Sequence, residues 1–118
     1  MIGGKTMKVI EMNEMEVAQT PHQVDVRKLI SYKDATIVHI TLEPRESLKM
    51  HVTPVDVCFY VLEGDGIVEI GKEKETVHKD ELVFSPAKVP HRLSNESENT
   101  FRFLVIKTPT PTEETKIL

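Results

Sequence analysis

The chain has 118 residues and 13.4 kDa, with 39% apolar and 29% charged residues, which fits one ordinary globular domain with its own core and excludes wholesale disorder. Fifteen basic residues stand against nineteen acidic ones, with no basic stripe, so nucleic acid is not the expected partner. No apolar run is long enough for a membrane span, no leader pattern opens the chain, and the expectation is a cytoplasmic protein without a membrane partner.

Gly3-Gly4-Lys5-Thr6 has the look of the end of a phosphate-binding loop, but the glycine that pattern needs upstream has no place in the chain. Lys8–Met12 reads as a short strand, and Val24–Arg27 alternates with the period of two that marks a strand. From residue 36 the β signal is continuous. Thr36–Leu42, Ser47–Val52 after the Glu43–Glu46 turn, and the strongly apolar Val57–Leu62 come first. Gly64-Asp65-Gly66 then reads as a hairpin turn, with Ile67–Ile70 returning. Gly71-Lys72-Glu73-Lys74 reads as a second turn, and Thr76–His78, Leu82–Ser85, His91–Ser94 and Phe101–Lys107 complete the series. Strands this short and this evenly spaced predict an all-β fold, an antiparallel sandwich or barrel, with no helix of note. The whole chain reads as a single domain with its core in 36–107. The tail, 108–118, carries Pro109 and Pro111 and is expected to be extended or mobile.

The lone cysteine, Cys58, excludes an internal disulfide and reads as a small buried hydrophobe. Five histidines are present, at 22, 39, 51, 78 and 91. His51 closes the apolar run Leu48-Lys49-Met50, and His91 follows the distinctive Leu82-Val-Phe-Ser-Pro-Ala-Lys-Val-Pro90. His78, beside a charged turn, reads as solvated.

These segments carry a specific resemblance. Residues 42–95 resemble a small single-domain cupin, whose two motifs run G-x5-H-x-H-x3,4-E-x6-G and G-x5-P-x-G-x2-H-x3-N. Both lie on this sequence without a gap: His51 and Gly64 match the first, Pro86, His91 and Asn95 the second. The resemblance implies a jelly-roll barrel of cupin type with a pocket inside it, and, as in many small cupins, a homodimer. Cys58, Tyr60 and Leu62, on the outer face of their strand, would be the side needing cover.

Five motif positions differ. Arg45, Asp80 and Lys88 stand where glycines are expected, Thr53 replaces the second histidine, and Val57 replaces the glutamate. The metal-ligand set implied by the family is therefore degenerate: His51 and His91 remain, and a first-row ion wants three or four good donors. His39 is the candidate for a substitute third ligand, and a site of this kind would hold iron, manganese, nickel or zinc weakly. Arg45 sits in a turn and reads as solvated, the alternative being contact with an anionic ligand at the barrel mouth.

The leading expectation is a barrel that binds a small molecule in its interior, with a reduced two-histidine metal site. The expected pocket residues are His51, Thr53, Val57, Phe59, Phe84, His91 and Phe103. The alternatives are a metal-dependent oxygenase, isomerase or decarboxylase using His51, His91 and a third ligand, a metal-free isomerase of the sugar type, or a non-catalytic interaction module.

Overall fold

The computed structural model describes residues 6–118, so Gly3, Gly4 and Lys5 of the glycine-rich start lie outside the described residues. One 3-10 turn, Met12–Glu14, precedes ten strands: β1 Asp25–Tyr32, β2 Ala35–Leu42, β3 His51–Val52, β4 Asp56–Glu63, β5 Gly66–Ile70, β6 Glu73–Val77, β7 Leu82–Ser85, β8 His91–Ser94, β9 Phe101–Thr108 and β10 Lys116–Ile117. They form two five-stranded antiparallel sheets, ordered β1-β2-β9-β4-β7 and β10-β3-β8-β5-β6. No helix among the described residues is long and apolar enough to cross a membrane.

Alternation along the strands builds the core. Val38, Ile40 and Leu42 of β2, Val57, Phe59 and Val61 of β4, and Phe101, Phe103 and Val105 of β9 all turn inward, where Val68 of β5 and Leu93 of β8 meet them. Phe59, Phe101 and Phe103 are essentially inaccessible, and each contributes roughly 1.5–3 kcal/mol by leaving water. Phe59 meets Phe103 edge-on at 6.2 Å, and Phe101 tilts against Phe103 at 5.0 Å.

The same alternation corrects one expected pocket residue. On β7, Ser85 pairs with Val57 and faces in, so Phe84, opposite Cys58, faces out and is 56% exposed. Register then lays Phe84, Cys58, Ile106 and Ile37 in one row across the outer face of the sheet. Cys58 is only partly buried there.

Five stretches depart from the sequence reading. Gly64-Asp65-Gly66 is no hairpin turn: it carries the chain from β4 in one sheet to β5 in the other, and β5 returns along β6 instead. Lys8–Met12 is not a strand: the Glu11 carboxylate accepts from the Asn13 and Glu14 amides, and Arg27 donates to the Met12 and Asn13 carbonyls at 3.3 Å, so a capped turn takes these backbone groups. Ser47–Val52 pairs with β8 only at its two ends, through a Ser47–Ser94 bridge and again from His51, because between them side chains occupy the Lys49 backbone groups and the Met50 carbonyl accepts from Leu118. Glu73 and Lys74 belong to β6, an edge strand whose exposed charges discourage further pairing. The tail is extended as expected, yet held: β10 pairs Lys116 with Val52 and Ile117 with His51.

The three motif positions that lack glycine keep glycine's backbone. Arg45, Asp80 and Lys88 have φ of 73°, 69° and 67°. Each left-handed residue costs on the order of 1 kcal/mol. Arg45 spends its side chain at the surface, donating to the Ser97 carbonyl at 2.9 Å and pairing with Glu98, which settles it as a loop staple away from the barrel mouth. Asp80 accepts from the Tyr60 hydroxyl at 3.2 Å. Only the Lys88 amide is used, donating to the Thr53 carbonyl at 2.9 Å. Motif residue Asn95 is structural: buried, it donates to the Leu42 and Asn99 carbonyls and accepts from Ser97, so its amide is unavailable for modification despite the Asn-Glu-Ser pattern.

Two substitutions should move stability in opposite directions, read as thermal midpoints. Lys88→Gly should raise it, gaining up to about 1 kcal/mol as the left-handed cost disappears, less glycine's extra freedom in the unfolded chain. Gly66→Ala should lower it by about 1–3 kcal/mol, because the added Cβ would sit 2.2 Å from the Phe101 ring in the packed core.

Candidate functional site

The barrel encloses a cavity of about 340 Å³, at the small end for ligand pockets. Its walls are apolar: Val26, Val38, Ile40, Leu48, Phe59 and Val105. Polar groups come from His51, Thr53 and His91, which the sequence reading placed here, and from His22, Lys28 and Lys107, which it did not. Loop residues Thr20 and Pro21 and tail residues Thr115 and Ile117 close the sides.

His51 and His91 are direct cross-strand partners on β3 and β8, with ring centroids 4.5 Å apart. His22 reaches in from the loop before β1 and lies 4.8 Å from His51, while Phe59 packs edge-on against His91 at 5.3 Å. The backbone of Lys49 fixes two of the rings. Its N–H donates to His22 Nδ1 at 2.8 Å, and its carbonyl accepts from His51 Nδ1 at 2.7 Å. These partners assign opposite neutral tautomers: His22 carries its proton on Nε2, and His51 keeps a lone pair there. His91 is held at both ends, Nδ1 by the Ser85 hydroxyl at 2.7 Å and Nε2 by Thr53 Oγ1 at 3.1 Å.

Burial keeps all three rings neutral. It lowers His22 to about 4 and His91 to about 3, and in both the charge His51 would carry adds to the effect. His51 is also lowered, again chiefly by burial and against its bond to the Lys49 carbonyl. Lys107 is lowered by burial and then by the charge of Lys28. Among the described residues no Asp or Glu lines the cavity, and neither lysine is in an ion pair.

The remaining expected site residues fall elsewhere. Val57 and Phe103 are core residues behind the pocket lining, and Phe84 is outside the barrel. His39 is no third ligand. It follows inward-facing Val38 on β2, so it points to the opposite face of the sheet, where its Nε2 accepts from Arg102 at 2.9 Å and its Nδ1 is buried without a partner. His78 is exposed as expected and pairs with Asp65 at 2.7 Å.

The arrangement does not fit a metal ion. Thr53 spends its hydroxyl on His91, Val57 offers no donor, both His91 nitrogens are engaged, and two lysines share the cavity with no carboxylate to offset them. No three His, Cys, Asp or Glu side chains among the described residues form a metal-holding group.

His22 carries no motif signal, since only the folded loop brings it to His51. Lys107 did carry one: in Phe101, Phe103, Val105, Lys107 it continues the inward series of β9.

Comparison with known proteins agrees with this architecture. The uncharacterized protein MJ1618 of Methanocaldococcus jannaschii is 27% identical over 126 aligned residues, covering 91% of this chain and 99% of that protein. The crystal structure of TT1209 from Thermus thermophilus is 26% identical with a TM-score of 0.76, covering 89% of this chain and all of that one. The polyketide cyclase RemF from Streptomyces resistomycificus shares the fold at 23% identity and a TM-score of 0.81, over 95% of this chain and 85% of its own. The cupin domain itself matches residues 38–107, and with that match spanning most of its length this chain belongs to the cupin family.

Proposed function

We propose that this cupin binds a small organic molecule inside its barrel and does so with its own side chains. The observation that carries the reading is the cavity's lining: an apolar wall interrupted by a few converging polar groups of fixed orientation. His22 Nε2–H offers a donor and His51 Nε2 an acceptor, a pair able to read a hydroxyl or carbonyl edge, while Thr53 and Ser85 hold His91 as a rigid neighbour. The donor set argues against routing the ligand through an ion.

Ligand-detected NMR with a fragment library tests this. Fragments that bind the wild type should be lost in the His22→Asn/His51→Asn double variant and kept in His39→Asn, whose ring lies outside the barrel. Fragments that treat the two variants alike would sink the reading, and a full equivalent of a first-row metal, lost with His51, would replace it with a metal site.

Neutral, buried imidazoles make stability depend on pH. The unfolded chain takes up protons as pH falls through about 6.5, whereas His22 and His91 hold out to about 4 and about 3. Their contribution is therefore complete above about 6.5 and is lost as pH falls from there toward 4 and below. The urea midpoint should drop between about pH 7 and about pH 4.5, and His22→Asn should flatten that drop. An unchanged slope in the variant would mean that other groups dominate.

For the outer face we propose a second copy of the chain. Leu82 and Phe84 are each 56% exposed on β7, a sheet edge; Phe84 continues a row with Cys58 and Ile106, and Leu82 the next row with Tyr60 and Leu104. Sedimentation should give a dimer that Phe84→Glu converts to monomer; a wild type that stays monomeric at high concentration would rule the dimer out.

A further inference from the structure

We propose that the ligand is a small organic carboxylate with an apolar body, its anionic head held by Lys107 with Lys28 beside it. This rests on the reading of the barrel as a binding pocket and names the chemistry that pocket selects.

The strand register places the two cations together. Lys28 on β1 lies opposite Val38 of β2, and Lys107 on β9 lies opposite Thr36, two residues earlier on the same strand. Both lysines line the cavity, Lys107 half-buried and Lys28 exposed to solvent. An ammonium facing an apolar cavity needs a negative partner, and proteins supply one from Asp or Glu when they can. Here the lining holds neither, and no ion pair engages either lysine among the described residues. Lys107, half-buried with no acid beside it, is the group that gains most from an anion entering the cavity. Burial and Lys28 already push the Lys107 ammonium toward its neutral form, which is the strain an arriving anion relieves.

The rest of the lining narrows the class. A cation would meet two like charges, and a fully hydrated polyanion would meet Val26, Val38, Ile40 and Val105. A monocarboxylate with a short hydrocarbon body satisfies both ends. His22 Nε2–H adds a donor, and the His51 lone pair suits a hydroxyl on the same molecule.

Titration with hexanoate and with hexanamide, its neutral isostere, followed on the imidazole resonances of His22, His51 and His91, tests the assignment. Hexanoate should shift these resonances saturably and hexanamide should bind about tenfold more weakly or less, the loss expected when a hydrogen bond to a charged group is removed. Lys107→Gln should weaken hexanoate by about tenfold or more, and Lys107→Arg should stay within a few fold of wild type. Equal binding of acid and amide would overturn the carboxylate assignment and leave the pocket reading standing. So would a hexanoate effect that neither Lys107 variant changes, which marks a generic anion effect. Silence with both probes overturns the assignment too, and the fragment screen then decides the wider reading on its own. Should Lys107→Gln not fold, the acid–amide contrast in the wild type and the Lys107→Arg affinity decide.

Discussion

Side chains on a strand alternate between its two faces, and in β9 that rule puts Phe101, Phe103, Val105 and Lys107 on the inside. The first three form the centre of the core with Phe59. The fourth continues the same row into the cavity, where the core thins and a ligand has room. Core and site are thus one inward face read from its packed end to its open end. A one-residue slip of β9 would turn Arg102, Leu104 and Ile106 inward and remove both at once. The aromatic contacts of Phe59 and Phe101 with Phe103 hold that register.

Inside the barrel the three histidines have to be oriented without a carboxylate. The protein manages this with backbone and hydroxyl groups: one residue, Lys49, orients His22 from its N–H and His51 from its carbonyl, while Ser85 and Thr53 bracket His91. Neutral imidazoles suit such partners, since a charged ring would need a counter-ion that the lining lacks. The substitution of a motif histidine by Thr53 is part of this arrangement, because its hydroxyl completes the hold on His91. Val57, in the glutamate's place, joins the core. Together the two changes turn a metal-ligand pattern into a polar floor beneath an apolar wall, with the positive charge supplied by lysines.

The motif's conformational and chemical halves have separated. Arg45, Asp80 and Lys88, where the motif has glycines, all have the left-handed backbone that glycine adopts most readily, in the turns that lead toward β3, β7 and β8. Backbone geometry at these corners is set by the strands they join, and a side chain can be tolerated there at a modest cost. Ligand positions have no such constraint from the fold, which is why Thr53 and Val57 could change character without disturbing the barrel.

From the sequence came the strands with strong alternation, the turn at Gly71 and the antiparallel class, and from the motif resemblance the placing of His51 with His91 in one pocket. The strands, the turn and the class are local signals, period two and turn residues, whereas the histidine pair is what the resemblance to the cupin motifs implied. The tertiary structure decided everything that depends on which strands neighbour each other. It sent Phe84 and His39 to the outer face, because strand parity relative to a partner is invisible until the register is known. It turned the tail into β10, brought His22 from a loop to His51, and set Lys28 beside Lys107 through the intervening strand β2. The charge of the pocket is a sum over residues far apart in the chain, so only the closed barrel could reveal a cavity with two cations and no acid.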